Sequence, residues 1–161
     1  MDDVLALCAD LPTRTFERGE HLLAEGTSGS VMYVLVTGSV EVRKGGVPVT
    51  KVSDPGSFLG ELSALLGTPH SADVVAIEPT EAFVVEEASA SLATNPDLTL
   101  AVARLLALRL RAVTSYLGDL RRQYADVDGH LSTMDQVLAE LVAMRPRTIE
   151  PGSERGGMPD Y

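Results

Sequence analysis

The chain has 161 residues, 45% of them hydrophobic, and a formal net charge of −10. That length suits one ordinary domain with its own core, and no apolar run reaches the roughly 18–20 residues that span a bilayer. The acidic Met1-Asp2-Asp3 start is unlike a secretory signal, and the single cysteine, Cys8, excludes an internal disulfide or a paired-cysteine metal site; a cytoplasmic protein is the expectation.

Residues 1–95 read as a β unit, preceded by a short helix over Asp3 to Ala9. Leu22-Leu23-Ala24, Val31 to Val36, Val40 to Val42, Val47 to Val52, Val74 to Ile77 and Ala82 to Val85 are short β-branched or apolar runs. Gly26, Gly29, Gly38, Pro55-Gly56 and Glu78-Pro79 punctuate them as turn formers. Gly45-Gly46, between "VEVRK" and "VPVTKV", signals a two-residue hairpin, whose primed turn needs positive φ. Pro48 then places the returning strand at a sheet edge. Many short strands with regular turns indicate a β-sandwich, roll or small barrel. This half carries five Lys or Arg against fourteen Asp or Glu. Nucleic-acid affinity needs clustered cations, so direct DNA binding is not expected of it.

Within that unit, residues 55–75 have the form of a ligand cradle. After a Pro-Gly turn, Gly60-Glu61 leads a short helix over Leu62 to Leu66, followed by a Gly-Thr-Pro turn. Amides at a helix start with small residues around them suit an anion. Glu61 adds an acceptor for a sugar hydroxyl, and Ser71 adds a hydroxyl. The only potentially cationic side chain in the stretch from 60 to 75 is His70. The same segment also fits a surface loop whose helix caps the roll.

Residues 96–145 predict one long helix. Asn95-Pro96-Asp97 supplies an N-cap, a proline at the first helical position and an early acid; Pro146 supplies the stop. Leu106, Leu110, Val113, Leu117, Leu120, Tyr124, Val127, Leu131, Met134, Leu138 and Leu141 alternate in steps of four and three, the spacing of a coiled-coil seam with Leu110 and Leu117 at a and Val113 and Leu120 at d. Fifty helical residues would extend roughly 75 Å, so the seam needs another helix. A parallel homodimer sets Gln123 beside Asp128 and His130 beside Asp135. Two shorter helices folding back at "DVDGH" are the alternative. Val137, Val142 and Met144 widen the apolar stripe near the end, suggesting a docking surface for a protein partner. Residues 146–161, rich in proline and glycine, are expected to be disordered.

From Phe16 to about Tyr124 the chain resembles the cyclic nucleotide-binding domain family. "FERGEHLLAEG" matches its opening pattern, "YVLVTGSVEV" its aromatic-apolar-glycine signature, and "VSDPGSFLGELSALLGTPHSADVVA" its phosphate-binding cassette. The resemblance implies a mainly β fold with helices: an eight-stranded β-roll of the double-stranded β-helix or jelly-roll kind, with a short N-terminal helix and a long C-terminal helix that lids the pocket and, in bacterial catabolite-activator-type regulators, forms a parallel dimer. It further implies that Gly60 and Leu62 offer amides to a cyclic phosphate, that Glu61 accepts the ribose 2′-hydroxyl, and that Ser71 bonds phosphate or base. The sequence departs from the family at His70, where the family's binders carry an arginine that grips the phosphate.

Imidazole is mostly neutral at pH 7 and donates singly, whereas guanidinium is always charged and presents a fork. Weak or absent binding of cAMP and cGMP is therefore the expectation, and the nearest cations in prospect are Arg104, Arg109 and Arg111 on the long helix. The expected function is a non-enzymatic regulatory or sensor domain without resident cofactor or metal. A genuine cAMP-responsive regulatory subunit, or a scaffold subunit with no small ligand, is the alternative. The three histidines, His21, His70 and His130, fall in separate segments and make no paired-histidine metal motif. Bacterial regulators of this kind place a helix-turn-helix after the long helix; here the sequence continues into Pro146 and a polar tail.

Overall fold

A computed structural model of the chain describes residues 2–123 together with 136, 137, 139 and 140. Eight strands run through these residues: β1 (Thr13–Phe16), β2 (His21–Leu23), β3 (Met32–Thr37), β4 (Val40–Lys44), β5 (Val47–Val52), β6 (Phe58–Leu59), β7 (Asp73–Ala76) and β8 (Thr80–Val85). Four helices accompany them: α1 (Asp2–Leu7), α2 (Glu61–Leu66), α3 (Ala88–Thr94) and α4 (Pro96–Gln123). The strands form two four-stranded antiparallel sheets, ordered β1-β8-β3-β6 and β2-β7-β4-β5. This is the eight-stranded β-roll that the family resemblance implies, one of the three architectures that the strand runs and their punctuation leave open.

Alternation along the strands builds two cores at once, because successive side chains in a strand point to opposite faces. On β3, Met32 and Val34 enter one cluster and Tyr33 enters the other. On β6, Phe58 and Leu59 divide the same way. The first cluster joins Met32, Val34, Phe58 and Val85 to Cys8, Ala88, Leu92, Leu98 and Val102 from the segments around α1, α3 and the start of α4. Burial there pushes the Cys8 thiol above its ordinary pKa, which disfavours the reactive thiolate. The second cluster fills the roll with Phe16, Leu22, Leu23, Tyr33, Val40, Leu59, Val74, Ala76 and Ala82. The Phe16 and Tyr33 rings meet edge to face, 5.4 Å between centroids, a favoured aromatic geometry.

Three elements escape the apolar-run pattern. In β1, Thr-Arg-Thr-Phe, only Phe16 is buried, and β6 is two residues long. Helix α3 lies inside the stretch read from sequence as β; its Ala-Ser composition buries only Ala88 and Leu92. The turn between β4 and β5 has Gly45 and Gly46 at φ of 56° and 78°, and β5 with Pro48 is a sheet edge. At the head of α4 the Asn95 side chain accepts from the Leu98 amide at 3.0 Å, the N-cap bond that Asn-Pro-Asp signals.

The chain divides into two compact units, Met1–Leu108 and Arg109–Tyr161. The first includes the opening turns of α4, where Leu98 and Val102 are buried and Leu105 and Leu106 pack against the first core. Leu106, assigned from its spacing to the seam, thus belongs to the packing of the roll. In the second unit the described part of α4 has Val113 about half exposed and Leu117 and Leu120 intermediate. The seam positions Tyr124, Val127, Leu131, Met134, Leu138 and Leu141, with the tail from 146 to 161, lie outside the described residues. None of the described helices is long and apolar enough to cross a membrane.

Gly38 turns the chain from β3 into β4 at φ 87°, and a Cβ there would stand 2.5 Å from the Pro79 carbonyl oxygen. An L side chain is strained at that φ and would press on backbone that cannot yield. Gly38→Ala is expected to lose on the order of 3 kcal/mol, read as an earlier midpoint in urea denaturation; an unchanged midpoint would mean that this turn relaxes freely.

Candidate cyclic-nucleotide cradle

Helix α2 is preceded by Gly60 at φ 89° and closed by Gly67 at φ 64°, so both ends of this six-residue helix use left-handed backbone suited to glycine. Glu61, its first residue, is only 3% exposed, and Ser63 and Ala64 are buried beside it. The Ser89 hydroxyl donates to the Ala64 carbonyl at 2.7 Å, fastening α2 to α3. Leu62, Leu65 and Leu66 remain exposed. The five residues singled out from sequence therefore separate: Glu61 and His70 are buried, Gly60 is intermediate, and Leu62 and Ser71 are exposed.

His70 is 6% exposed. Its imidazole lies against Gly29, where a Cβ would stand 2.3 Å from Cε1 and 2.5 Å from Nε2. A Cβ on Gly60 would stand 3.4 Å from the same Cε1. The ring thus occupies a seat between two glycine backbones, one of which must lack a side chain for the ring to fit. The His70 backbone is fixed reciprocally: Gly26 N–H donates to the His70 carbonyl at 2.8 Å, and His70 N–H donates to Thr27 at 2.9 Å. Among the described residues, none hydrogen-bonds either ring nitrogen. Burial alone lowers the imidazole pKa below its ordinary value, as desolvation does for any cationic acid.

A cation does reach the cassette, from β4. Lys44, at the end of β4, donates through Nζ to the Ser71 carbonyl and, at 2.6 Å, to Glu25. The register that sets Arg43 opposite Asp73 brings it there. Glu25 also accepts from the Gly45 amide at 2.8 Å, and the Lys44 bond together with this one holds its carboxyl below the usual range. Asp73 accepts from the Glu25 amide at 2.8 Å. Arg104 instead lines a cavity of about 330 Å³ with Asp3, Val4, Leu7, Asp97, Leu100 and Ala101. Sequence reasoning missed Gly29, Glu25 and Lys44 as parts of this site; a glycine in a turn and an oppositely charged pair nineteen residues apart give no local signal.

The two-sheet roll agrees with a direct comparison. The cyclic nucleotide-binding domain family matches residues 13–91. Residues 13–91 belong to that family. A "CRP-like cAMP-activated global transcriptional regulator" of Mycobacterium tuberculosis is 27% identical over 143 residues, 85% of this chain and 63% of its own length. The catabolite activator protein of Thermus thermophilus superposes with a TM-score of 0.59 at 28% identity, covering 74% of this chain and 59% of that one. The regulatory subunit of a "cAMP-independent protein kinase A" from Trypanosoma brucei gives 0.53 at 25% identity, over 61% of this chain and 35% of that one. The chain spans less than two thirds of the length of each of these relatives.

For this cyclic nucleotide-binding domain the buried imidazole fixes a pH dependence. The folded pKa lies below the ordinary ~6.5, so on acidification the unfolded chain takes up this proton first. The contribution to stability is therefore complete above about pH 6.5 and declines as the pH falls from there towards the folded pKa. In urea titrations from pH 7.5 to 5.5, His70→Asn is expected to remove part of the acid-side decline seen in the wild type. Parallel curves would show that the ring is hydrated in the folded chain.

Proposed function

We propose that this chain is a regulatory module of the cyclic nucleotide-binding kind whose cassette holds cAMP and cGMP weakly or not at all, and that it works as a pair of copies joined along α4. The observation that carries the first half is the buried His70, seated at the cassette where the family resemblance implies a phosphate-gripping arginine. A neutral imidazole offers one donor in place of a charged fork, and charge-assisted bonds are roughly twice as strong as neutral ones. The loss weakens binding by a few kcal/mol, on the order of a hundredfold. Lys44 does not restore the charge, because Glu25 already neutralises it.

The pairing half is supported by Leu110 and Val113, each 51% exposed at adjacent a and d positions of the described helix. Such apolar side chains are suited to a facing helix. A genuine cAMP-responsive module is the second reading; the inward-facing Glu61 favours it, since a buried carboxylate beside Gly60 is what a ribose hydroxyl requires.

Titration calorimetry with cAMP and cGMP at pH 7.5 decides between them. Dissociation constants far weaker than micromolar, tightened by His70→Arg, are expected, and sub-micromolar binding by the wild type would overturn the weak-binding reading. The same samples in light scattering should return the mass of two chains; a single-chain mass would remove the pairing.

A further inference from the structure

The segment leaving the cassette is bonded to stretches of chain outside it. Three stretches meet at one point: residues 25–27 after β2, residues 44–45 at the β4–β5 turn, and residues 70–73 leading into β7. Backbone bonds tie His70 to Gly26 and Thr27. The Ser71 carbonyl, one residue on, accepts from Lys44, whose other partner is Glu25 at 2.6 Å. Glu25 in turn takes the Gly45 amide, and its own amide donates to Asp73. The pair is partly exposed, 60% at Lys44 and 30% at Glu25, so it is not what keeps the roll folded. Its bonds converge on the residues that aim the imidazole.

We infer that Lys44 and Glu25 are positioning residues of the cradle: their ion pair, bound to the Ser71 carbonyl and the β4–β5 turn, fixes the cassette exit so that His70 stays seated against Gly29. The relevance of this hold to anion binding rests on the proposed function, but the seating itself is readable without any ligand. The charged groups on the segments that meet at the ring are Glu25, Lys44, Asp73 and, next to Gly60, Glu61.

Two single substitutions separate positioning from a simple field effect. Lys44→Met removes a positive charge, which through the field alone raises the His70 pKa; Glu25→Gln removes a negative charge, which through the field alone lowers it. Release from the buried seat raises it in both. Following the His70 Cε1–H signal of the full chain by NMR from pH 5 to 8, assigned with His70→Asn, both variants are expected to move the midpoint up towards that of an exposed histidine, and Lys44→Arg to leave it near the wild-type value. Midpoints that move in opposite directions, or do not move, overturn the inference. Calorimetry with cAMP on the same proteins reports on the function independently. Tight wild-type binding would contradict the proposed weak cradle while leaving the midpoints to decide the positioning.

Discussion

The contact between the His70 imidazole and the backbones of Gly29 and Gly60 is the constraint on which the site depends. A Cβ on Gly29 would lie inside the ring's van der Waals envelope, so the ring can be buried there only because that position is glycine. Once buried, it is held neutral by desolvation, and a neutral ring is a poor substitute for a fixed positive charge in an anion site. Local backbone bonds from Gly26 and Thr27 and the more distant Lys44–Glu25 pair keep it in place. In the function proposed above, packing and electrostatics act in the same direction, towards a cradle that holds an anion weakly.

Charge bookkeeping around the cassette supports this. Lys44 is the cation bonded to the cassette exit, and Glu25 accepts from it at close range. Arg43 is likewise paired, to Glu41 at 2.7 Å. Glu61 and Asp73 flank His70 in the sequence, and the Asp73 carboxylate accepts from the Glu25 amide. On the proposed reading, protonation of the ring would add a positive group for an incoming cyclic phosphate. A ligand with less negative charge than a phosphodiester would meet a smaller penalty at the same shape.

Much of the fold was legible because its strands are apolar runs separated by glycine and proline. Val31 to Val36, Val40 to Val42 and Val47 to Val52 lie in or overlap β3, β4 and β5, and Asn95-Pro96-Asp97 marks the start of α4. What escaped was structure without periodic burial: β1 and β6 are too short or too exposed, and α3 buries two of its seven residues. In the cassette, the short helix led by Gly60-Glu61 was readable from the local pattern. Gly29, Glu25 and Lys44 were not, since they approach the cassette through pairings between β2 or β4 and β7, which no local periodicity encodes. Leu106 shows the converse. Its spacing fits the seam, but the first core claims it, because the opening turns of α4 cover the roll before the helix continues into the second unit.

The seat of the imidazole can be tested by through-space magnetisation transfer between the His70 Hε1 proton and the Gly29 Hα protons in the full chain. One Gly29 Hα points where a Cβ would stand 2.3 Å from Cε1, so a strong cross-peak is expected at pH 7.5. Its absence, with ring signals that titrate like free histidine, would contradict the buried seat and the weak-anion cradle built on it.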